Sequence, residues 1–387
     1  MGEMPANPIQ LLVGGLVVTV GLAATSGAVS APATGSRLAA DTAHGTSKIA
    51  FVSRGPQERP GLYVMRADGS GQRRLTGPVL VRIPAWSPDG RRIAFESTHA
   101  CRSFGAGCST TGIYLTNADG GSRLRLARVG GAPAWSPDGR TIAFFSSSTI
   151  YLMNADGSEH HALTKPLTGR NRSLAWSPDG RKLAFLTSGG PADDLRRGGC
   201  SAPPDYCFSL YVVNGDGSGL RNLTSKLGAG SGPGAGPASD PAWSPDGRKL
   251  AFVRLNAGLG APIYIVNADG SGMRKLTPKP GGIYAAPAWS PDGRKLAFVS
   301  VRDGNSEVSV MNANGSGQRN LTRNPALDAD PAWSPDGRSI AFRSTRDGNT
   351  DIYIMNADGS GQRNLTRSSA NEGRFAWAPG RKKQGAS

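Results

Sequence analysis

Two carboxylates and three arginines are the side chains whose placement could do chemistry. Asp240 and Asp330 stand three residues before Trp243 and Trp333, and Arg374 stands three before Trp377; Arg82 and Arg172 stand four before Trp86 and Trp176. Two carboxyl groups about 5–10 Å apart at one opening would serve acid–base chemistry on a glycosidic bond. Mixed charge around the same opening would instead make a binding funnel. Other chemistry is thin. His44, His99, His160 and His161 have no repeat-matched acid or nucleophile partner, so no triad can be assembled. Cys101/Cys108 and Cys200/Cys207 form two pairs of equal separation. A disulfide in each would staple a loop, worth roughly 2–3 kcal/mol, and such bridges persist in oxidising compartments. Zinc is the rival reading: His99 is near Cys101, but no four-ligand spacing is present. No metal and no cofactor is expected.

The elements that must position these side chains repeat along the whole chain. Trp86, Trp135, Trp176, Trp243, Trp289 and Trp333 each read Ala-Trp-Ser-Pro-Asp-Gly, and Trp377 reads Ala-Trp-Ala-Pro-Gly. A second phrase, Ala-Asp-Gly or a close variant, recurs around Asp68, Asp119, Asp156, Asp216, Asp269, Asn314 and Asp358. Between the phrases lie short β-branched and aromatic runs bounded by Gly, Pro, Asp and Asn, which read as strands. Ser-Pro-Asp-Gly suits a type I turn, with Pro presetting φ and Gly accepting the left-handed conformation after it. Each unit is therefore four antiparallel strands with two tight turns, the pattern of a propeller blade.

The ends complement each other. Residues 48–76 hold strands two to four of a unit without a Trp phrase, and residues 374–380 hold only a first strand. Six complete units and one composite predict an all-β, seven-bladed ring, closed by pairing the C-terminal strand with the N-terminal three; closure removes exposed sheet edges. An open or six-bladed array is the alternative. Phe51, Phe95, Phe144, Phe185, Phe252, Phe298 and Phe342 recur on strand two. Tyr63, Tyr114, Tyr151, Tyr211, Tyr264 and Tyr353 recur on strand three, with Ser309 breaking the series. With the tryptophans they should pack between neighbouring sheets rather than form a stacking surface for sugars or bases.

Pro-Ala-Trp-Ser-Pro-Asp-Gly-Arg-Lys-Leu-Ala-Phe, followed by Ile-Tyr-x-x-Asn-Ala-Asp-Gly-Ser-Gly, closely resembles the propeller repeat of TolB-type proteins over roughly residues 48–380. TolB itself carries an α/β domain before its propeller and works in the bacterial periplasm within an envelope assembly. Only about 45 residues precede the first strand here, so that domain is expected to be absent. Similar repeats precede the hydrolase domain of prolyl-oligopeptidase-type peptidases, but no Gly-x-Ser-x-Gly nucleophile elbow occurs in this chain.

Ile9–Ala24 is an apolar stretch followed by the small-residue run Ala28-Val29-Ser30-Ala31, which resembles an export signal although Met1–Gln10 lacks Lys and Arg. The expected organisation is 1–31 signal peptide or N-terminal anchor, 32–47 linker, 48–380 propeller and 381–387 basic tail. Lys and Arg outnumber Asp and Glu 44 to 28, a formal charge of +16. The excess follows the turns, as at Arg91-Arg92, Arg181-Lys182 and Arg294-Lys295 after the first and Arg73-Arg74, Arg221, Arg274-Lys275, Arg319 and Arg363 after the second. Both turns project from one face of the disc. No basic cluster is interleaved with exposed aromatics, so solvated turn residues are expected rather than a nucleic-acid footprint. Attraction to an anionic polymer or lipid surface is a secondary expectation.

The opposite face carries the long connections, and Arg82, Arg172, Asp240, Asp330 and Arg374 are expected to line a mixed-charge funnel there. These features predict an exported monomer, periplasmic, cell-envelope or secreted. It would act as a non-catalytic scaffold for an envelope or extracellular protein partner. The alternative is a propeller hydrolase or lyase acting on glycans or peptides through the mouth carboxylates.

Overall fold

A computed structural model describes residues 9–13, 16–20, 47–54, 60–77, 79–100, 109–167, 169–188, 208–225, 236–237, 241–255, 260–277, 282–302 and 304–380. Seven antiparallel sheets follow one another along the chain. Blade 1 joins Asn371–Trp377 to Lys48–Arg54, Gly61–Arg66 and Arg73–Arg74, with Ile49 opposite Trp377 and Ala50 opposite Ala376. Blades 2 to 7 occupy residues 80–127, 131–162, 171–222, 236–275, 283–320 and 328–364. The seven-bladed reading and its closure by the C-terminal strand both hold. Ile9–Val13 and Leu16–Val20 pair as a separate two-stranded ladder. No described helix is long and apolar enough to cross a membrane.

The core is divided among the seams. Seven clusters of buried apolar side chains each combine residues of two adjacent blades, including one that joins Ile352, Ile354 and Leu365 of blade 7 to Ile49, Phe51 and Met65 of blade 1. The strand-two phenylalanines are all at most 2 % exposed. Five of them stack on the strand-three tyrosine of the same blade at 5.4–5.8 Å, and Phe342 meets Tyr353 at 5.8 Å in a tilted pair. Where Ser309 replaces the tyrosine, Phe298 meets Tyr284 of the first strand instead, and the Ser309 hydroxyl pairs with that of Ser300 at 2.9 Å.

Two repeated hydrogen bonds lock the seams. In six of seven, the Trp Nε1–H donates to the carbonyl of the alanine preceding the previous blade's Trp, at 2.9–3.2 Å: Trp86 to Ala376, Trp176 to Ala134, Trp243 to Ala175, Trp289 to Ala242, Trp333 to Ala288 and Trp377 to Ala332. In five, a fourth-strand arginine donates to a carbonyl in the next blade's Ala-Asp-Gly turn or its Ala-Asn-Gly counterpart: Arg73, Arg221, Arg274, Arg319 and Arg363. Four of these five second-turn arginines are exposed, as solvated turn residues should be, yet each also clamps two blades, because the offset of neighbouring sheets brings each turn over the preceding outer strand. The seam between blades 2 and 3 lacks both bonds. Leu124 pairs with Leu115 where Arg73 pairs with Val64 in blade 1, and Trp135 Nε1 is buried without a partner. Arg92 holds that seam instead, its guanidinium 5.0 Å from the centroid of the Trp135 ring.

The Ser-Pro-Asp-Gly turns have the expected chemistry. Gly90 N–H donates to the Ser87 carbonyl at 2.9 Å with φ +67°, the left-handed region that suits glycine. The Ser87 hydroxyl donates to Asp89 Oδ1 at 2.5 Å, and the same oxygen accepts the Arg91 N–H at 3.0 Å. The hydroxyl of Ser136, Ser177, Ser244 and Ser290 holds the carboxyl of Asp138, Asp179, Asp246 and Asp292 below its usual range, and the following backbone N–H adds to the effect. A depressed folded pKa gives stabilisation that is complete above the unfolded value, about 3.9, and is lost as pH falls through the folded value. The thermal midpoint is therefore expected to stay level from pH 7 to about 4.5 and to fall below it. Combined Asp→Asn changes at Asp246 and Asp292 should flatten that fall. A decline beginning well above pH 5 would assign it to other groups.

Candidate functional site

First strands neighbour first strands around the ring, so they form the wall of the central channel that this architecture encloses. In six of the seven blades the first strand has an irregularity near its middle; in blade 5 that place lies outside the described residues. The register slips between Arg82 and Ala85, Gly131 and Ala134, Arg172 and Ala175, Ala285 and Ala288, and Ala329 and Ala332. Two residues there oppose one phenylalanine of strand two, as Asp330 and Pro331 oppose Phe342, which makes each a β-bulge. The first bulge residue is the one three before the Trp. Ile83, Ala132, Ser173, Ala286 and Asp330 have φ of +46°, +52°, +60°, +47° and +50°. Non-glycine residues seldom adopt this conformation. Proline follows the first bulge residue in four of the five, as Pro84, Pro133, Pro287 and Pro331, where a missing N–H disturbs no ladder bond. In blade 1 the slip lies between Phe51 and Ser53, and Gly373 and Arg374 oppose Val52.

Of the side chains that the sequence singles out, Asp330 and Arg374 sit in bulges, while Arg82 and Arg172 occupy the last regular ladder pair before one. Asp330 receives Arg343 Nε at 2.8 Å and Nη2 at 2.6 Å, a two-atom ion pair within blade 7. Arg343 Nη1 also lies 3.5 Å from the Glu372 carbonyl on the first strand of blade 1. Arg82 faces Glu96 across its ladder, with Nη1 4.0 Å from Oε1. Glu96 is buried and accepts the N–H of Ala132, the bulge residue of blade 3, at 3.1 Å. Arg172 lies over the Phe208 ring, 4.5 Å from its centroid, so its guanidinium stacks within blade 4. Arg374 is exposed at the blade 1 bulge. Asp240 and the cysteines Cys101, Cys108, Cys200 and Cys207 lie outside the described residues.

Three further groups belong to the mouth. Glu96 and Arg343 directly follow the strand-two phenylalanine, where the other blades carry Val52, Phe145, Leu186, Val253 and Val299. Arg54 follows its phenylalanine by three and pairs across the ladder with Asn371. Burial first, then the positive charges of Arg82 and Arg343, lower the pKa of the Arg54 guanidinium. A break in an otherwise apolar series is the signal that could have found Glu96 and Arg343. Buried polar contacts also tie blade 7 together from its first strand to its fourth. Asp351, 1 % exposed, accepts from Thr366 at 2.7 Å and Asn364 at 2.8 Å, while Asp328 accepts from Asn324 at 2.6 Å and faces Arg346 at 3.4 Å. The Asp347-x-Asn349-x-Asp351 spacing could suggest a cation loop, but Asp347 is engaged by Tyr353 and by Asn364 at 2.7 Å, as a structural staple.

Seven four-stranded sheets around a channel, with tryptophan-led first strands, define the molecule as a seven-bladed β-propeller. Residues 36–192 and 233–383 match the TolB beta propeller domain, and the chain belongs to that family. Among solved structures it is similar to TolB from Acinetobacter baumannii, at 22 % identity and a TM-score of 0.56, covering 87 % of this chain and 68 % of that one. It is also similar to an oligogalacturonate lyase in complex with manganese, at 17 % identity and a TM-score of 0.57, covering 81 % and 83 %. A third likeness is to a puromycin-hydrolyzing peptidase of Mycobacterium tuberculosis, at 16 % identity and a TM-score of 0.57, covering 76 % of this chain and 47 % of that one. These likenesses concern the fold. No curated protein matches the chain.

Proposed function

We propose that this propeller is an exported, non-catalytic scaffold of the cell envelope or its exterior, engaging a protein partner or an envelope polymer through the channel mouth. Residues 1–31 would serve export or anchoring, 32–47 would be a linker and 381–387 a basic tail, with the ring acting as a monomer. The Arg343–Asp330 ion pair is the observation that carries the reading. A mouth carboxylate gripped by two guanidinium nitrogens offers recognition chemistry, whereas a hydrolase or lyase would present it to substrate. Membership of the TolB propeller family and the likeness to a TolB structure support a binding role.

The test is capture from an envelope extract by the mature chain beside a variant neutralised at Arg82, Arg172, Asp240, Asp330 and Arg374. A partner held by the parent and lost by the folded variant is the expected result. Failure of either bait to hold a specific partner would overturn the scaffold reading and bring the glycan or peptide hydrolase or lyase forward.

A further inference from the structure

The positive charge of this molecule is not equally occupied on its two faces. On the turn face, Arg73, Arg221, Arg274, Arg319 and Arg363 each donate to a carbonyl of the adjacent blade and are spread around the ring, one to a seam. The turn aspartates offset charge on the same face: Asp179 lies 4.0 Å from Arg181, and Asp68, Asp269 and Asp358 lie beside Arg363, Arg221 and Arg319. The mouth differs. Arg343 of blade 7, Arg54 of blade 1 and Arg82 of blade 2 come from three consecutive blades.

Their placement follows from the ladders. Arg343 reaches across its seam to the Glu372 carbonyl, and Glu372 pairs with Ser53, the residue before Arg54. Arg82 lies on the first strand of blade 2, which packs against the first two strands of blade 1. Only two carboxylates answer these three cations among the described groups. Asp330 is committed to Arg343; Glu96 is shared between Arg82, at 4.0 Å, and the Ala132 N–H. Among the described residues Arg54 has no carboxylate partner, and Arg82 keeps 63 % of its side chain exposed. Burial contributes most to the lowered pKa of Arg54, and the charges of Arg82 and Arg343, which adjoin it through these ladders, add to it.

We propose that Arg54, Arg82 and Arg343 form a binding site for a phosphate group at the channel mouth. Arg343 holds Asp330 through the single oxygen Oδ2, by Nε and Nη2, and of its five guanidinium hydrogens the ones not so engaged are those it could offer to an anion. Donors arriving from three blades match the diverging oxygens of a tetrahedral phosphate. Residual positive charge beside half-buried walls also raises the local concentration of anions. The group could arrive as free phosphate or on a lipid headgroup, and both would use the same donors. The site shares the mouth with the scaffold reading but does not require a protein partner.

The experiment is calorimetric titration of the full-length chain with inorganic phosphate at low ionic strength, with chloride as the control anion. Phosphatidylglycerol vesicles form a second arm. Saturable phosphate binding is expected, weakened on the order of tenfold in Arg54→Gln and in Arg82→Gln, as loss of one charge-assisted contact implies. Arg294→Gln, an exposed change on the turn face, should leave it unaltered. Vesicle binding that depends on Arg54 and is displaced by phosphate would identify a headgroup as the source; phosphate binding without vesicle binding would identify the free ion. No binding in either arm overturns the site. So does binding that survives Arg54→Gln with an unchanged thermal midpoint, or that falls only in Arg294→Gln. Arg54-dependent phosphate binding with no partner captured at the mouth would keep the site and discard the scaffold reading. The reverse pattern would do the opposite.

Discussion

Deleting residues 369–387 is expected to leave no folded monomeric ring. Three losses coincide in that change. The Lys48–Arg54 strand loses its partner, leaving the fully buried Ile49 and Ala50 on an open sheet edge. Both seams of blade 1 lose their tryptophan bond, since Trp86 donates to Ala376 and Trp377 donates to Ala332. Phe375 and Trp377 also leave the apolar cluster that joins blade 1 to blade 7. Truncating one large core aromatic costs about 3–5 kcal/mol, and a domain has only about 5–15 kcal/mol to lose. An unpaired strand with four consecutive apolar residues, Ile49 to Val52, is moreover a template for association. Size-exclusion chromatography and thermal unfolding would show aggregates or an early, broad transition. A truncated chain that elutes as a monomer and melts sharply at the parent's midpoint would sink closure as the source of stability.

That closure was legible because both ends are pieces of one repeated string. Residues 48–76 lack a Trp phrase and residues 374–380 supply one, and the structure pairs them at Ile49–Trp377. The phenylalanine and tyrosine series marked the core for the same reason: seven copies of one environment select one residue type. Chemistry between blades was less legible. A tryptophan at every first strand announces burial, but its Nε1–H bond to the preceding blade depends on how far one sheet is offset from the next. The clamps depend on the same offset, so Arg363 reads as a solvated turn residue until the Asp68 carbonyl, 295 positions away in sequence, is found beneath it. At the mouth, Asp330 and Arg374 are legible as charges three before a Trp, and the structure adds that each sits in a bulge, left-handed at Asp330. Arg343 and Glu96 are less legible because they lie on the second strand, inside a run that is otherwise apolar in every blade.

The glycines of the second turn separate two costs that sequence alone merges. Gly217 and Gly90 both have left-handed backbones, with φ of +84° and +67°. An alanine at either position meets the conformational penalty of that region, roughly 1–2 kcal/mol. The surroundings differ. A Cβ at Gly90 would meet nothing within 4 Å, whereas at Gly217 it would lie 2.5 Å from the Leu163 carbonyl oxygen of the preceding blade. Backbone cannot rotate away as a side-chain tip can, so blades 3 and 4 would have to part, adding about 1–3 kcal/mol as in other overpacked sites. That seam also has no fourth-strand arginine clamp, because His161 pairs with Leu152 at the clamp position. Gly90→Ala is therefore expected to cost about 1–2 kcal/mol and Gly217→Ala about 2–5 kcal/mol, read from denaturant midpoints. Gly69 and Gly315 carry the same approach, at 2.9 Å and 2.8 Å from the Leu365 and Leu276 carbonyl oxygens, and should behave like Gly217. Equal losses at Gly90 and Gly217 would mean that the turn conformation alone requires glycine, and that the blades are held apart by something other than this contact.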